Sequence, residues 1–260
     1  MRINTRYLEI NIGKHPYRII LKFHPSSKWY NKDYKKFVKL AGTNSEFPIK
    51  DNYPCLYDKT DEAGDNHSHY FIQDLYVAQL IHNSNPVRHV DVGSRIDGFV
   101  AHVASFRKIE LIDVRKLDST IKNVIFTQAD LMDEKSIPYD YCDSVSSLHA
   151  LEHFGLGRYG DHIDPMGHIK GFNNIAKMLK KGGKFYFSVP FGRQRIDFNA
   201  HRVFGMPYLV SLVTEKFDIF SFSYIDDSSI LHTEVELNPD IIDRSFGCDK
   251  GCAIFVLEKK

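Results

Sequence analysis

Residues 88–98 read Arg88-His89-Val90-Asp91-Val92-Gly93-Ser94-Arg95-Ile96-Asp97-Gly98, and after a helix-compatible stretch at 99–106 the chain continues Ile109-Glu110-Leu111-Ile112-Asp113-Val114. A short apolar strand ending in a glycine turn, then a helix, then a second strand closing on an acid make the fingerprint of a dinucleotide-type βαβ unit. Gly93 suits the turn because a side chain there would block a bound molecule. Asp113, followed by Val114, stands at the tip of the second strand, where a carboxylate accepts hydrogen bonds from two ribose hydroxyls.

The nicotinamide form of this unit uses three glycines, so that a pyrophosphate can lie on the helix N-terminus. Here Gly93 and Gly98 take the first and third slots and Arg95 takes the second. Asp91, two residues before the first glycine, suits an ammonium group better than a phosphate and points to S-adenosylmethionine as cofactor, with S-adenosylhomocysteine as product. A third acid ends Phe126-Thr127-Gln128-Ala129-Asp130, where its carboxylate can take an adenine amino group. Each acid alone is an ordinary strand-end turn residue; the signal is their recurrence at successive strand ends.

These stretches resemble the motifs of class I S-adenosylmethionine-dependent methyltransferases. Asp91-Val92-Gly93 matches the first, Asp113 the second, and Ala129-Asp130-Leu131 the third. Ser146-Ser147-Leu148-His149-Ala150-Leu151-Glu152-His153 matches the fourth, and the segment from Met178 through Gly182-Gly183 to Pro190 the fifth. Within that superfamily, the segment from His149 to Asp161 and Phe198-Asn199-Ala200-His201-Arg202-Val203-Phe204 resemble the DUF268-like group, over roughly residues 71–260. The resemblance implies cofactor contacts from Asp91, Gly93, Ser94, Arg95, Gly98, Asp113, Val114, Asp130, Leu131 and Ser147. It also implies a link to surface-polysaccharide genes. The superfamily's first motif often runs acid-x-Gly-x-Gly-x-Gly, whereas Arg95 and Asp97 stand in its later glycine slots here.

Alternating signals extend the βαβ unit along the chain. Strands are expected near 89–92, 109–113, 124–126, 143–148, 184–189, 217–224 and 253–258, with helices near 70–82, 99–106, 164–180 and 206–214. Gly182-Gly183 is expected to end the helix before the fifth strand. The rhythm implies a Rossmann-like, doubly wound α/β fold whose mostly parallel, seven-stranded sheet is covered on both faces. Ahead of it, residues 5–10 and 17–23 alternate like a β-hairpin, 31–40 has helical spacing, and 43–68 is polar and Pro/Gly-punctuated like a loop or lid. The division is therefore an N-terminal extension at 1–69 and a methyltransferase domain at 70–260.

The 260 residues carry 34 basic and 33 acidic side chains with no basic stripe, which argues against nucleic acid as substrate. Four cysteines form no CxxC pair, no signal peptide or membrane-spanning run is visible, and a cytoplasmic location is expected. Cys248-Asp249-Lys250-Gly251-Cys252 reads as a turn before the last strand rather than a metal site.

Ligands in open α/β sheets bind at the carboxyl ends of the strands, so the segments after each strand hold the chemistry. An alcohol acceptor must lose a proton as it attacks, and a histidine with a pKa near ~6.5 can take it. His149, directly after the fourth strand, is the first choice, with His162 and His201 as reserves. Arg158, Arg193, Arg195 and Arg202, with Tyr159, Asp161 and Asn199, are expected to hold a small anionic acceptor, since guanidinium forks match phosphate and carboxylate. A sugar phosphate or nucleotide-linked sugar fits both the arginines and the genes that the resemblance points to. His149-x-x-Glu152-His153 also matches a zinc-protease pattern, but a strand directly before it is the wrong context, and no metal is expected. Two competing readings remain, a nicotinamide-dependent oxidoreductase and an S-adenosylmethionine-binding module without catalysis.

Overall fold

The structure is a computed structural model that describes residues 27–42, 46–47, 49, 54–61, 63–64, 68–118 and 120–260. It divides into two compact units, Met1–Asp65 and Asn66–Lys260. The hairpin expected at 5–23 lies outside the described residues, as does much of the loop at 43–68. In the first unit, α1 (Ser27–Ala41) is a helix with no buried residue.

The second unit opens with α2 (His69–Ser84), which leads into β1 (His89–Val92). A π-turn (Ile96–Val100) and α3 (Ala101–Ala104) follow, then β2 (Ile109–Asp113), β3 (Val124–Gln128) and β4 (Cys142–Leu148). Next come α4 (Gly167–Met178), β5 (Leu179–Phe191), a small antiparallel ribbon of β6 (Arg195–Asp197) and β7 (His201–Val203), and α5 (Met206–Thr214). The chain closes with β8 (Phe217–Ile225), β9 (Leu231–His232), α6 (Pro239–Asp243) and β10 (Gly251–Lys259).

The main sheet runs β3-β2-β1-β4-β5-β10-β8-β9. The pairs from β3 to β5 are parallel and those from β5 to β9 antiparallel. It therefore has eight strands rather than the expected seven. The eighth, β9, is too short for an alternating pattern and pairs through Leu231 and His232 alone.

Two local departures from the sequence reading have physical causes. The helix expected at 99–106 is a π-turn followed by one turn of α-helix, because Gly98 breaks the regular path (φ −125°, ψ −109°). The helix expected to reach Gly182 stops at Met178. Leu179 turns extended and pairs with Cys142, and burying Leu179 completely is worth ~1.5–3 kcal/mol.

Alternation along the central strands builds two cores. Phe185 and Phe187 of β5 and Phe255 of β10 pack with Phe172 of α4 and Phe217 on one face. Tyr186 and Ile254, one residue out of phase, pack on the other face with Val77 and Ile81 of α2 and Phe99. Helices on both faces leave the carboxyl ends of the parallel strands as the open edge.

Candidate active site

The turn after β1 sets the site. Gly93 adopts φ 74°, its N–H donates to Ile112 O (2.9 Å), and a Cβ on it would come within 2.9 Å of the Ala150 Cβ. Only glycine satisfies both the left-handed backbone and that close approach. Above the turn, a pocket opens over the ends of β1, β2, β3 and β4. Its place in the sheet is that of a small-molecule site.

Of the residues expected around a cofactor, Gly93, Arg95, Asp113, Val114, Asp130 and Leu131 line this pocket. Asp113 lies at its rim with both carboxylate oxygens engaged by Arg115, through Nε to Oδ1 (3.0 Å) and Nη2 to Oδ2 (2.6 Å). That fork keeps the Arg115 guanidinium above its usual pKa. The Asp130 carboxylate accepts the Met132 N–H (2.8 Å).

Asp91, Ser94, Gly98 and Ser147 do not line the pocket. Asp91 is fully buried, and its carboxylate accepts from Ser94 N (3.0 Å), Ser94 Oγ (2.8 Å) and Ser146 Oγ (2.5 Å). Burial pushes its pKa up to about 7 against those three donors. Ser94 Oγ in turn accepts the Leu148 N–H (3.1 Å), and Ser147 Oγ donates to Val92 O (3.1 Å). His89 joins the network between Ser144 (2.8 Å) and Ser146 (3.1 Å), and burial holds it neutral with a pKa of about 3. The first-motif acid thus ties β1 to β4 and is not among the residues that line the pocket.

A carboxylate that sequence reasoning missed lines the pocket instead. Asp74 of α2 is 4% exposed, accepts from Gln73 Nε2 (2.9 Å), and is raised in pKa chiefly by burial. A Cβ at Gly98 would lie 2.4 Å from its Oδ2, so Gly98 makes room for this acid. The signal in the sequence was positional. Gln73 and Asp74 continue the stripe of Val77, Ala78 and Ile81, where a helix face turned to the core carries apolar groups.

His149 occupies the left-handed region (φ 50°) at the end of β4 and lines the pocket, its ring 4.9 Å from that of Tyr70. Its Nδ1 donates to Glu152 Oε1 (2.9 Å), and both side chains are withdrawn from solvent. Burial opposes a charge on this imidazole, but the Cys252 thiol and the Glu152 carboxylate more than offset it and hold the pKa well above 6.5. Its Nε2 is buried without a hydrogen-bond partner among the described residues. His153 donates Nδ1–H to Ala200 O (2.7 Å), and burial keeps its pKa low.

The expected acceptor-binding residues divide. Arg158, Tyr159 and Asp161 line the same pocket, with the Tyr159 ring between the guanidiniums of Arg115 (4.5 Å) and Arg158 (5.1 Å). Asp161 braces its own loop by accepting the N–H groups of Gly155 (2.8 Å) and Gly157 (3.2 Å). Arg202 is buried and donates to the carbonyls of Glu152 (3.2 Å), Phe154 (2.6 Å) and Pro165 (3.3 Å). Arg195 pairs with Asp197 (3.2 Å), and His201 Nε2 lies 3.6 Å from the same carboxylate. Arg193, Asn199 and His162 are exposed and none of them lines the pocket. The pattern spanning His149, Glu152 and His153 falls on a strand end and a 3₁₀ turn. Among the described residues no group of three or more His, Cys, Asp or Glu side chains is placed to hold a metal ion.

The pocket fits an adenosyl group that carries a cationic amino acid. Asp113 can accept from ribose hydroxyls, and Asp74 and Asp130 line the same pocket as Gly93. The same acids would repel a pyrophosphate.

No curated protein matches the chain by sequence. Among solved structures it resembles the N-methyltransferase NodS from Bradyrhizobium japonicum, in complex with S-adenosyl-L-homocysteine, at 14% identity over 75% of this chain and 89% of that one (TM-score 0.50). It also resembles the 1,6-didemethyltoxoflavin-N1-methyltransferase of Burkholderia thailandensis at 12% identity over 96% and 92% (TM-score 0.52). A third likeness is to the [4+2]-cyclase SpnF, at 16% identity over 71% and 80% (TM-score 0.50). Likeness at this distance establishes the fold, a Rossmann-like class I methyltransferase fold, and the cyclase among these structures shows that the fold hosts more than one chemistry. Residues 97–259 match the family described as "Caenorhabditis protein of unknown function, DUF268", and with more than half its length matched the chain belongs to that family.

Proposed function

We propose that this protein is an S-adenosylmethionine-dependent methyltransferase acting on an oxygen of a small anionic acceptor, a phosphorylated or nucleotide-linked sugar of the kind used to build surface polysaccharides. The observation that carries the reading is that Asp74, Asp113 and Asp130 line one pocket with Gly93, His149 and Arg158. When bound, the cofactor supplies a methyl group on a sulfonium, an electrophile that needs no acid catalyst. In this reading Asp113 exchanges part of its pairing with Arg115 for ribose hydroxyls, Asp130 and Leu131 hold the adenine, and Asp74 answers the ammonium end.

In this reading His149 acts on the acceptor. Its pKa is raised, its Nδ1 is held by Glu152, and its Nε2 has no hydrogen-bond partner among the described residues. In this reading the acceptor reaches the imidazole by filling the pocket that His149 lines, and the neutral imidazole, at higher pH, takes its proton. Arg158 at the pocket rim supplies the charge that an anionic acceptor needs, and positioning carries the remainder of the rate.

Transfer of a labelled methyl group from S-adenosylmethionine to a panel of hexose phosphates, nucleotide sugars and the matching neutral sugars tests the proposal. Label on the anionic members supports it. Label on the neutral sugars alone, or no label on any sugar, contradicts the acceptor assignment.

A further inference from the structure

The first unit carries a surface that the chemistry above does not use. Around α1, Lys28, Lys32, Lys35, Lys36 and Lys39 fall within one arc of the helix at ~100° per residue, and Trp29, Tyr30, Tyr34, Phe37, Val38 and Leu40 fill the opposite half. The apolar half is exposed over much of its area, with Phe37 57%, Val38 43% and Leu40 75% accessible. Among the described residues none of the five lysines is in an ion pair, and the acid on this helix, Asp33, is paired with Lys59 (3.1 Å), whose Nζ also sits 4.5 Å over the Trp29 ring.

A helix meant to pack within its own protein has an apolar stripe that is covered and a polar face of mixed charge. This one combines aromatic and aliphatic groups on one half with five lysines on the other that pair with no acid among the described residues. That is the composition of helices that lie in the plane of a bilayer interface, apolar face among the acyl chains and lysines attracted by anionic headgroups. The length fits too, since 15 residues are too few to span a bilayer and enough to lie along one. We propose that α1 is a membrane-surface anchor that binds anionic lipid bilayers, without crossing them. The proposal is independent of the reading of the active site.

Flotation of the full-length protein with vesicles of phosphatidylcholine, or of phosphatidylcholine with about a third phosphatidylserine, tests it. Binding to the anionic vesicles is expected to be at least tenfold tighter than to the neutral ones, and to weaken as salt rises from 0.1 to 1 M, where the screening length falls from about 10 to about 3 Å. The charge reversal Lys32→Glu/Lys36→Glu/Lys39→Glu and, separately, Phe37→Ser/Leu40→Ser should each lower the affinity tenfold or more, with S-adenosylmethionine binding unchanged. Failure of the wild type to float, equal binding to both vesicles, or wild-type binding by the charge-reversed variant would overturn the proposal. Covering of this face by other parts of the chain would show itself as the first of these.

Discussion

His149 Nδ1 lies 2.9 Å from Glu152 Oε1 just after β4, in the wall of the pocket, and the imidazole's pKa is raised there although the ring is buried. A histidine with a raised pKa becomes a base only as pH climbs through that higher value. Turnover of the wild type should therefore keep rising with pH beyond 6.5, and His149→Asn should remove that limb and lower turnover ~10²–10⁴-fold with little change in binding. A limb centred at or below 6.5, or an unchanged profile in the variant, would show that His149 is not the group involved. His162 and His201, outside the pocket, should tolerate the same replacement.

Asp113→Ala should weaken S-adenosylmethionine binding roughly tenfold or more while leaving the fold intact, because charge-assisted bonds of this kind are worth ~1.5–3 kcal/mol and ~1.4 kcal/mol is a factor of ten. The carboxylate lines the pocket, and the partner it would release is the half-exposed Arg115. Isothermal titration of the folded variant gives the answer; unchanged affinity sinks the assignment.

Arg158, which lines the pocket, and Arg202, which does not, should respond differently to loss of the fork. Arg158→Lys should raise the KM for an anionic acceptor and leave cofactor affinity level. Arg202→Lys should lower the melting temperature instead, since lysine cannot reach three carbonyls at once from a buried position. If Arg202→Lys kept wild-type stability and raised KM alone, the carbonyl bonds would not be its main role.

Much of this architecture was legible because each strand ends in a residue whose type its position dictates. Gly93 and Asp113 were readable from spacing alone, and the rhythm of apolar runs located the strands of the parallel half. What escaped was tertiary. Nothing local distinguishes Asp91, buried under three donors, from Asp113, open to the pocket, since both are acids on parallel strands. Arg202 looked like a ligand group because the carbonyls it binds come from residues 37 to 50 positions away. Asp74 lay in a helix whose apolar neighbours made it read as core.

Acid stability tests the buried network. His89, held near a pKa of about 3, stays neutral when folded but would bind a proton when unfolded, so it makes stability rise with pH between about 3 and 6.5. Asp91, raised to about 7, binds its proton more tightly when folded than unfolded, so it makes stability fall as pH rises between about 4 and 7. The two slopes oppose each other over a shared window. Asp91→Asn should leave the His89 effect uncovered and steepen the rise by up to ~1.4 kcal/mol per pH unit, the value of one proton. Urea unfolding of both proteins from pH 4 to 6.5 measures it; parallel curves would mean that Asp91 titrates no differently in the folded and unfolded chains.

Calorimetric titration of the protein with S-adenosylmethionine, S-adenosylhomocysteine and NAD in parallel tests the central claim most directly. The acids around the Gly93 turn predict saturable binding of the first two, weakened in Asp113→Ala, and none of NAD. Binding of NAD without S-adenosylmethionine or S-adenosylhomocysteine would contradict the account.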